Sequence, residues 1–122
     1  VQRAAAPRLP RLLAAAADAA RSKKATDLLV LDLRTTGAFT DYFLICTGGN
    51  PRQVNAIADA IEEALKAQQA RPSHVEGRHR AEWVLLDYFD FVVHVFSAQA
   101  RQFYGLERLW GAATRIELPE TA

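Results

Sequence analysis

Helices and strands share this chain of 122 residues in an order that implies an α/β (α+β) fold: a single mixed sheet of four to five strands packed with helices. Three features carry that expectation. Two stretches repeat apolar residues at helical spacing. Four short stretches are apolar on both faces, so both faces of their sheet need cover. Only Tyr88-Phe89-Asp90 separates the last two of these stretches. A parallel crossover needs far more chain, so they form an antiparallel hairpin.

The elements follow in order. Residues 1–10 read as a flexible N-terminus, because Pro7 and Pro10 discourage regular structure. From Arg11, the positions Leu12, Leu13, Ala16, Ala17 and Ala20 recur at helical spacing, which predicts a helix to about Ser22. Its apolar face is mostly Ala, so it docks shallowly. Arg21, Lys23 and Lys24 complement the dipole at its end. Asp27 to Leu33 reads as a strand that Thr35-Thr36-Gly37 breaks, and Asp41 to Thr47 reads as a second. Gly48-Gly49-Asn50-Pro51-Arg52-Gln53 then spells a helix start. Asn50 can accept from the Gln53 N–H, Pro51 suits the first turn, and Gln53 can reach back. Val54, Ile57, Ala58, Ile61 and Leu65 mark one face of a helix to about Ala70. His74 to Arg80 reads as a polar, basic connection. Glu82 to Asp87 and Phe91 to Phe96 are the hairpin strands. Ala98 to Phe103 begins a short helix, Gly105 kinks it, and Leu106, Leu109 and Trp110 continue an apolar stripe. The domain spans 11–110, and 111–122 is expected to be an irregular tail.

Composition limits what such a domain can do. Half the residues are hydrophobic, enough for one modest core. The net charge of +1 is too small to argue for a nucleic-acid binder, which needs a clustered basic surface. Cys46 is the only cysteine and lies in an apolar setting, which points to a buried thiol in a reducing compartment. No apolar run approaches a membrane span, so no membrane partner is expected. The N-terminal segment has no apolar signal core, and the expected location is cytoplasmic.

No cofactor or catalytic constellation emerges. Gly48-Gly49 between strand and helix could hold phosphate through backbone N–H groups, but it lacks a Lys-Ser/Thr ending and a spaced glycine fingerprint. That start is also similar to nucleotidyltransferase folds, which need converging carboxylates on metal. Asp87 and Asp90 instead flank a turn, and Asp27 and Asp32 point in opposite directions. His74, His79 and His94 are too scattered for zinc. His94, between valines, reads as a hydrogen-bonded structural residue. Arg71, Arg78 and Arg80 with His74 and His79 form the densest basic cluster. It is expected to be solvated, with a minor rRNA phosphate contact as the lesser reading. The four strands carry more apolar surface than the helices cover, so a residual apolar patch is expected to serve a partner. Trp83, Tyr88, Arg101, Tyr104 and Trp110 are of the residue types that dominate interfaces.

These blocks resemble the ribosomal silencing factor family (RsfS, also called Iojap) from about Lys24 to Trp110. The resembling residues are Asp32-Leu33, Thr40 to Gly48, Gln53 to Ala58, Glu76-Gly77, Trp83 to Tyr88, Val93 to Phe96 and Arg101 to Trp110. Phe89 stands where the family commonly has Gly, Asn50 where it has Ser, and Gly105 where a polar residue is usual. The resemblance implies a nucleotidyltransferase-like fold without catalytic residues and a role that is not enzymatic. It implies binding to the large ribosomal subunit via ribosomal protein L-fourteen, a block on joining of the small subunit, and repression of translation under nutrient limitation. Organelle relatives act in large-subunit biogenesis. Carried onto matching positions, it places partner contacts at Trp83, Leu85, Asp87, Tyr88, His94, Arg101 and Tyr104. Trp83 and Tyr104 are the anchors, and Arg101 and Asp87 the polar locks. Two alternatives stand beside it: a nucleotidyltransferase-like nucleotide-binding module using Gly48 and Gly49, and a homodimer formed through the apolar sheet face.

Overall fold

The computed structural model describes residues 9–119. A first helix, α1 (Arg11–Ser22), is followed by β1 (Thr26–Asp32), β2 (Tyr42–Gly48), α2 (Pro51–Lys66), β3 (His74–Glu76), β4 (Trp83–Asp87) and β5 (Phe91–Ser97). The chain continues through α3 (Ala98–Tyr104), α4 (Leu106–Leu109) and β6 (Thr114–Glu117). The strands form one six-stranded sheet in the order β3-β4-β5-β2-β1-β6. Only β2 and β5 pair in parallel, and every other neighbour is antiparallel.

The mixed α+β sheet is the expected architecture, with six strands where four to five were expected. His74–Glu76, read as a polar connection, pairs with β4. Residues 114–117, read as part of an irregular tail, pair with β1. Both are short and mostly exposed. Their pairing comes from the neighbouring strand's free hydrogen-bonding edge rather than from a buried apolar pattern of their own. The expected flexible N-terminus lies outside the described residues except for Leu9 and Pro10.

One face of the sheet is sealed by α1 and α2. Val54, Ile57, Ile61 and Leu65 of α2 are fully buried against Leu44, Val84, Leu86, Val93 and Val95. Each such side chain contributes about 1.5–3 kcal/mol by leaving water. The small Ala16, Ala17 and Ala20 let α1 join the same core. The cap of α2 is as expected. The Gln53 N–H donates to Asn50 Oδ1 at 2.8 Å, and Gln53 Oε1 reaches back to accept from the Gly49 N–H at 2.6 Å. The helix ends at Lys66 rather than near Ala70. Gln69 takes a positive φ, and the Ala70 N–H returns to the Leu65 carbonyl, a turn that terminates helices.

The opposite face carries a second core of Leu29, Leu31, Leu33, Phe43, Ile45, Val92 and Phe96. Among the described residues its cover is α3, α4, the turn after them and Ala38 of the β1–β2 connection, with Leu106 and Trp110 packed against it. This asymmetry of cover creates the candidate site.

Candidate partner-binding face

Alternation along the hairpin decides which side chains reach the thinly covered face. In β4, Val84 and Leu86 turn to α2, while Trp83, Leu85 and Asp87 turn the other way and remain half-exposed. In β5, Val92, His94 and Phe96 lie on that same side. Ser97 ends the strand and caps α3, its Oγ accepting from the Ala100 N–H at 3.1 Å. The short α3 therefore returns directly over the hairpin and brings Tyr104 against Trp83, ring centroids 4.6 Å apart.

Trp83 is the centre of this arrangement. Its ring stacks on Phe96 at 5.0 Å, and its Nε1–H donates to Nδ1 of His94 at 3.0 Å. Gly77 fixes the backbone behind it. At φ +88° a Cβ there would stand 1.9 Å from the Trp83 carbonyl oxygen, so only glycine fits. An open cleft of about 350 Å³ lies between Trp83, Tyr104, Gly77, His79, Arg80 and Glu82. Two further apolar side chains of α3 and α4 are exposed. Phe103 is 78 % exposed with its ring 5.0 Å from Tyr104, and Leu109 is 72 % exposed. Neither was singled out as a contact in the sequence. The sequence places Leu109 on an apolar stripe with Leu106 and Trp110. The αL turn at Gly105, φ +58°, breaks that register by ending α3 and restarting the chain as α4.

The structure divides the expected contact residues. Trp83, Leu85 and Tyr104 share the open face. His94 lies beneath it, 3 % exposed, with its ring edge-on to Phe43 at 4.5 Å. Burial holds its imidazole pKa down at about 3. Arg101 is turned inward. Its Nη1–H groups donate to the Asp27 carbonyl at 2.6 Å and Thr47 Oγ1 at 2.9 Å, and its Nε–H donates to Glu107 at 2.9 Å. Its hydrogen bond is the leading cause that holds the Glu107 carboxyl below the usual range. Arg101 thus ties α3 and α4 to the ends of β1 and β2. Asp87 Oδ1 accepts from the Phe89 N–H at 2.8 Å and organises the hairpin turn. Tyr88 is on the other side of the sheet, packed with the α2 core and stacked on Phe91 at 5.2 Å. Desolvation, with a smaller contribution from Glu62, raises its phenol to about 12.

The remaining candidates resolve into structure. Among the described residues no three His, Cys, Asp or Glu side chains gather to hold a metal ion. A Cβ on Gly48 would meet Val54 Cγ2 at 2.9 Å, so that glycine serves close packing of strand and helix. The adjoining Gly49 and Gln53 N–H groups are already bound within the cap. In the basic loop, Arg78 pairs with Asp59 and Glu62, Arg80 with Glu82, and His74 with Glu76. These carboxylates offset the cluster that the sequence suggested.

Comparison with known proteins adds a family to this geometry. Residues 6–122 match the model of a family described as "Ribosomal silencing factor during starvation". A ribosomal silencing factor RsfS from Bacillus subtilis is 42 % identical over 107 residues, covering 88 % of this chain and 91 % of that one. A mouse protein named for mitochondrial assembly of the ribosomal large subunit is 28 % identical over 93 residues, covering 74 % of this chain and 41 % of its own length. A crystal structure from Chromobacterium violaceum superposes with a TM-score of 0.81 at 31 % identity, covering 86 % of this chain and 88 % of the other.

Proposed function

The chain belongs to the ribosomal silencing factor family, and from that membership we propose that it binds the large ribosomal subunit via ribosomal protein L-fourteen, blocks joining of the small subunit and represses translation. It is a ribosome regulator and not an enzyme. Its action is occupancy of a surface that the small subunit needs, and no bond is made or broken. The observation that carries this reading is the apolar face in which half-buried Trp83 meets the exposed Tyr104, Tyr104 meets the exposed Phe103, and Leu85 lies on the same side of the strand, held by a strand pair and a capped helix. A contiguous apolar surface of this kind marks an interaction site, and aromatic anchors dominate such sites.

Within this reading Trp83, Leu85 and Tyr104 touch the partner. Asp87, His94 and Arg101 shape the face from within, and Tyr88 holds the hairpin from the α2 side. Arg80, whose side chain is 80 % exposed beside the cleft, supplies the minor rRNA phosphate contact. The fold is nucleotidyltransferase-like, with its glycine turn given over to packing. The mouse relative's name supports the choice of the large subunit, and bacterial relatives support a cytoplasmic location. The exposed Phe103 and Leu109 also favour a homodimer that competes with the subunit for the same face.

Sucrose-gradient sedimentation with isolated subunits tests the proposal. The protein is expected to migrate with large subunits and not with small ones, and to lower the yield of joined ribosomes when both are mixed. Migration with neither subunit, or unchanged joining at saturating protein, would refute it.

A further inference from the structure

We propose that His94 is a positioning residue for the docking face: buried beneath it, its Nδ1 selects the orientation in which the Trp83 indole meets the partner. The inference rests on the reading of Trp83 as a partner contact.

Three observations carry it. His94 is 3 % exposed and cannot itself touch a partner, whereas Trp83 is half-exposed. The two are joined by a 3.0 Å hydrogen bond in which the indole donates. An indole nitrogen is only a donor, so Nδ1 must be the acceptor, and the neutral imidazole carries its proton on Nε2. That Nε2 is buried and has no hydrogen-bond partner among the described residues.

The third observation, the unpaired Nε2, shows that packing alone does not call for histidine here. His94 lies in the strand register between Leu85 and Ile45, with Phe43 and Phe96 around its ring. An apolar side chain would fill this place without a buried, unpartnered Nε2, although it would leave the Trp83 Nε1–H without its acceptor. What an apolar side chain could not do is choose between the two faces of a half-exposed indole. The stacking of Trp83 on Phe96 and its contact with Tyr104 at 4.6 Å are nearly indifferent to which edge of the indole points outward. The hydrogen bond to Nδ1 removes that degeneracy. With the nitrogen edge turned inward, the benzo edge is what a partner finds, pre-organised so that binding does not have to order it.

The test compares His94→Phe and His94→Leu, which lack the acceptor, with His94→Asn, whose Oδ1 stands near the place of Nδ1. Each is made in the wild-type and the Trp83→Phe backgrounds. The Trp83 indole 15N–1H signal, identified by its loss in Trp83→Phe, reads the orientation in the free protein. Affinity for isolated large ribosomal subunits reads the consequence. The acceptor-free variants are expected to fold and to shift the indole signal. They should weaken binding about tenfold, with partial recovery in His94→Asn and no further loss in the Trp83→Phe background. An unmoved indole signal, an unchanged affinity, or an equal loss without the Trp83 N–H would overturn the inference. If Trp83→Ala also leaves affinity unchanged, it is the assignment of the face that has failed. The indole signal distinguishes that case, because it does not depend on any partner.

Discussion

At the scale of single residues, the buried polar groups are the most informative. His94 is neutral in the folded chain because burial depresses its pKa to about 3 from an ordinary 6.5. The unfolded chain therefore binds a proton between those values that the folded chain does not. Stability is full above about pH 6.5 and falls as the pH drops, by at most about 1.4 kcal/mol per pH unit from this residue. His94→Phe should flatten the dependence of urea midpoint on pH between about 6.5 and 4. An unchanged slope would mean that His94 is not held neutral. Cys46 gives a second check. Desolvation raises its thiol to about 12, and the side chain is fully buried. It should resist a thiol reagent in the folded protein and react at the rate of unfolding. Prompt labelling under native conditions would contradict the burial.

At the scale of elements, the β4–β5 turn stores strain with no packing return. Phe89 adopts φ +73° while 78 % exposed, in a conformation natural to glycine. Phe89→Gly should stabilise the protein by about 0.5–1 kcal/mol, read as a rise in unfolding midpoint. A fall would mean that the ring has contacts that matter. This turn also illustrates what was legible in advance. The hairpin followed from three intervening residues, and the cap of α2 followed from Asn50, Pro51 and Gln53, because these are local rules. Strands β3 and β6 were not legible, since His74–Glu76 and Thr114–Glu117 carry little apolar alternation and exist through their neighbours' edges. The geometry of the proposed site was legible in the same partial way. Trp83 and Tyr104 could be picked by type and resemblance. That Arg101 points inward and that Tyr88 lies across the sheet depends on strand parity and on partners far along the chain, such as Asp27 and Thr47. Phe103 and Leu109 were not picked because the kink expected at Gly105 does not by itself tell which side chains it turns toward solvent.

At the scale of the whole molecule, the proposed function rests on unequal cover of one sheet. Two long helices close one face around Cys46, Leu44 and Val93. Two short ones leave the other with Trp83, Tyr104, Phe103 and Leu109 toward solvent. A strand carrying Trp83 and short helices carrying Phe103, Tyr104 and Leu109 can present these side chains with little ordering cost on binding. The central claim is that this face holds the large subunit. It is tested most directly by the affinity of Trp83→Ala for isolated large subunits, beside a thermal melt that establishes folding. Loss of a true anchor costs at least about 2 kcal/mol, so a folded variant should bind more than about tenfold more weakly. A folded Trp83→Ala that binds as tightly as the wild type would contradict the account.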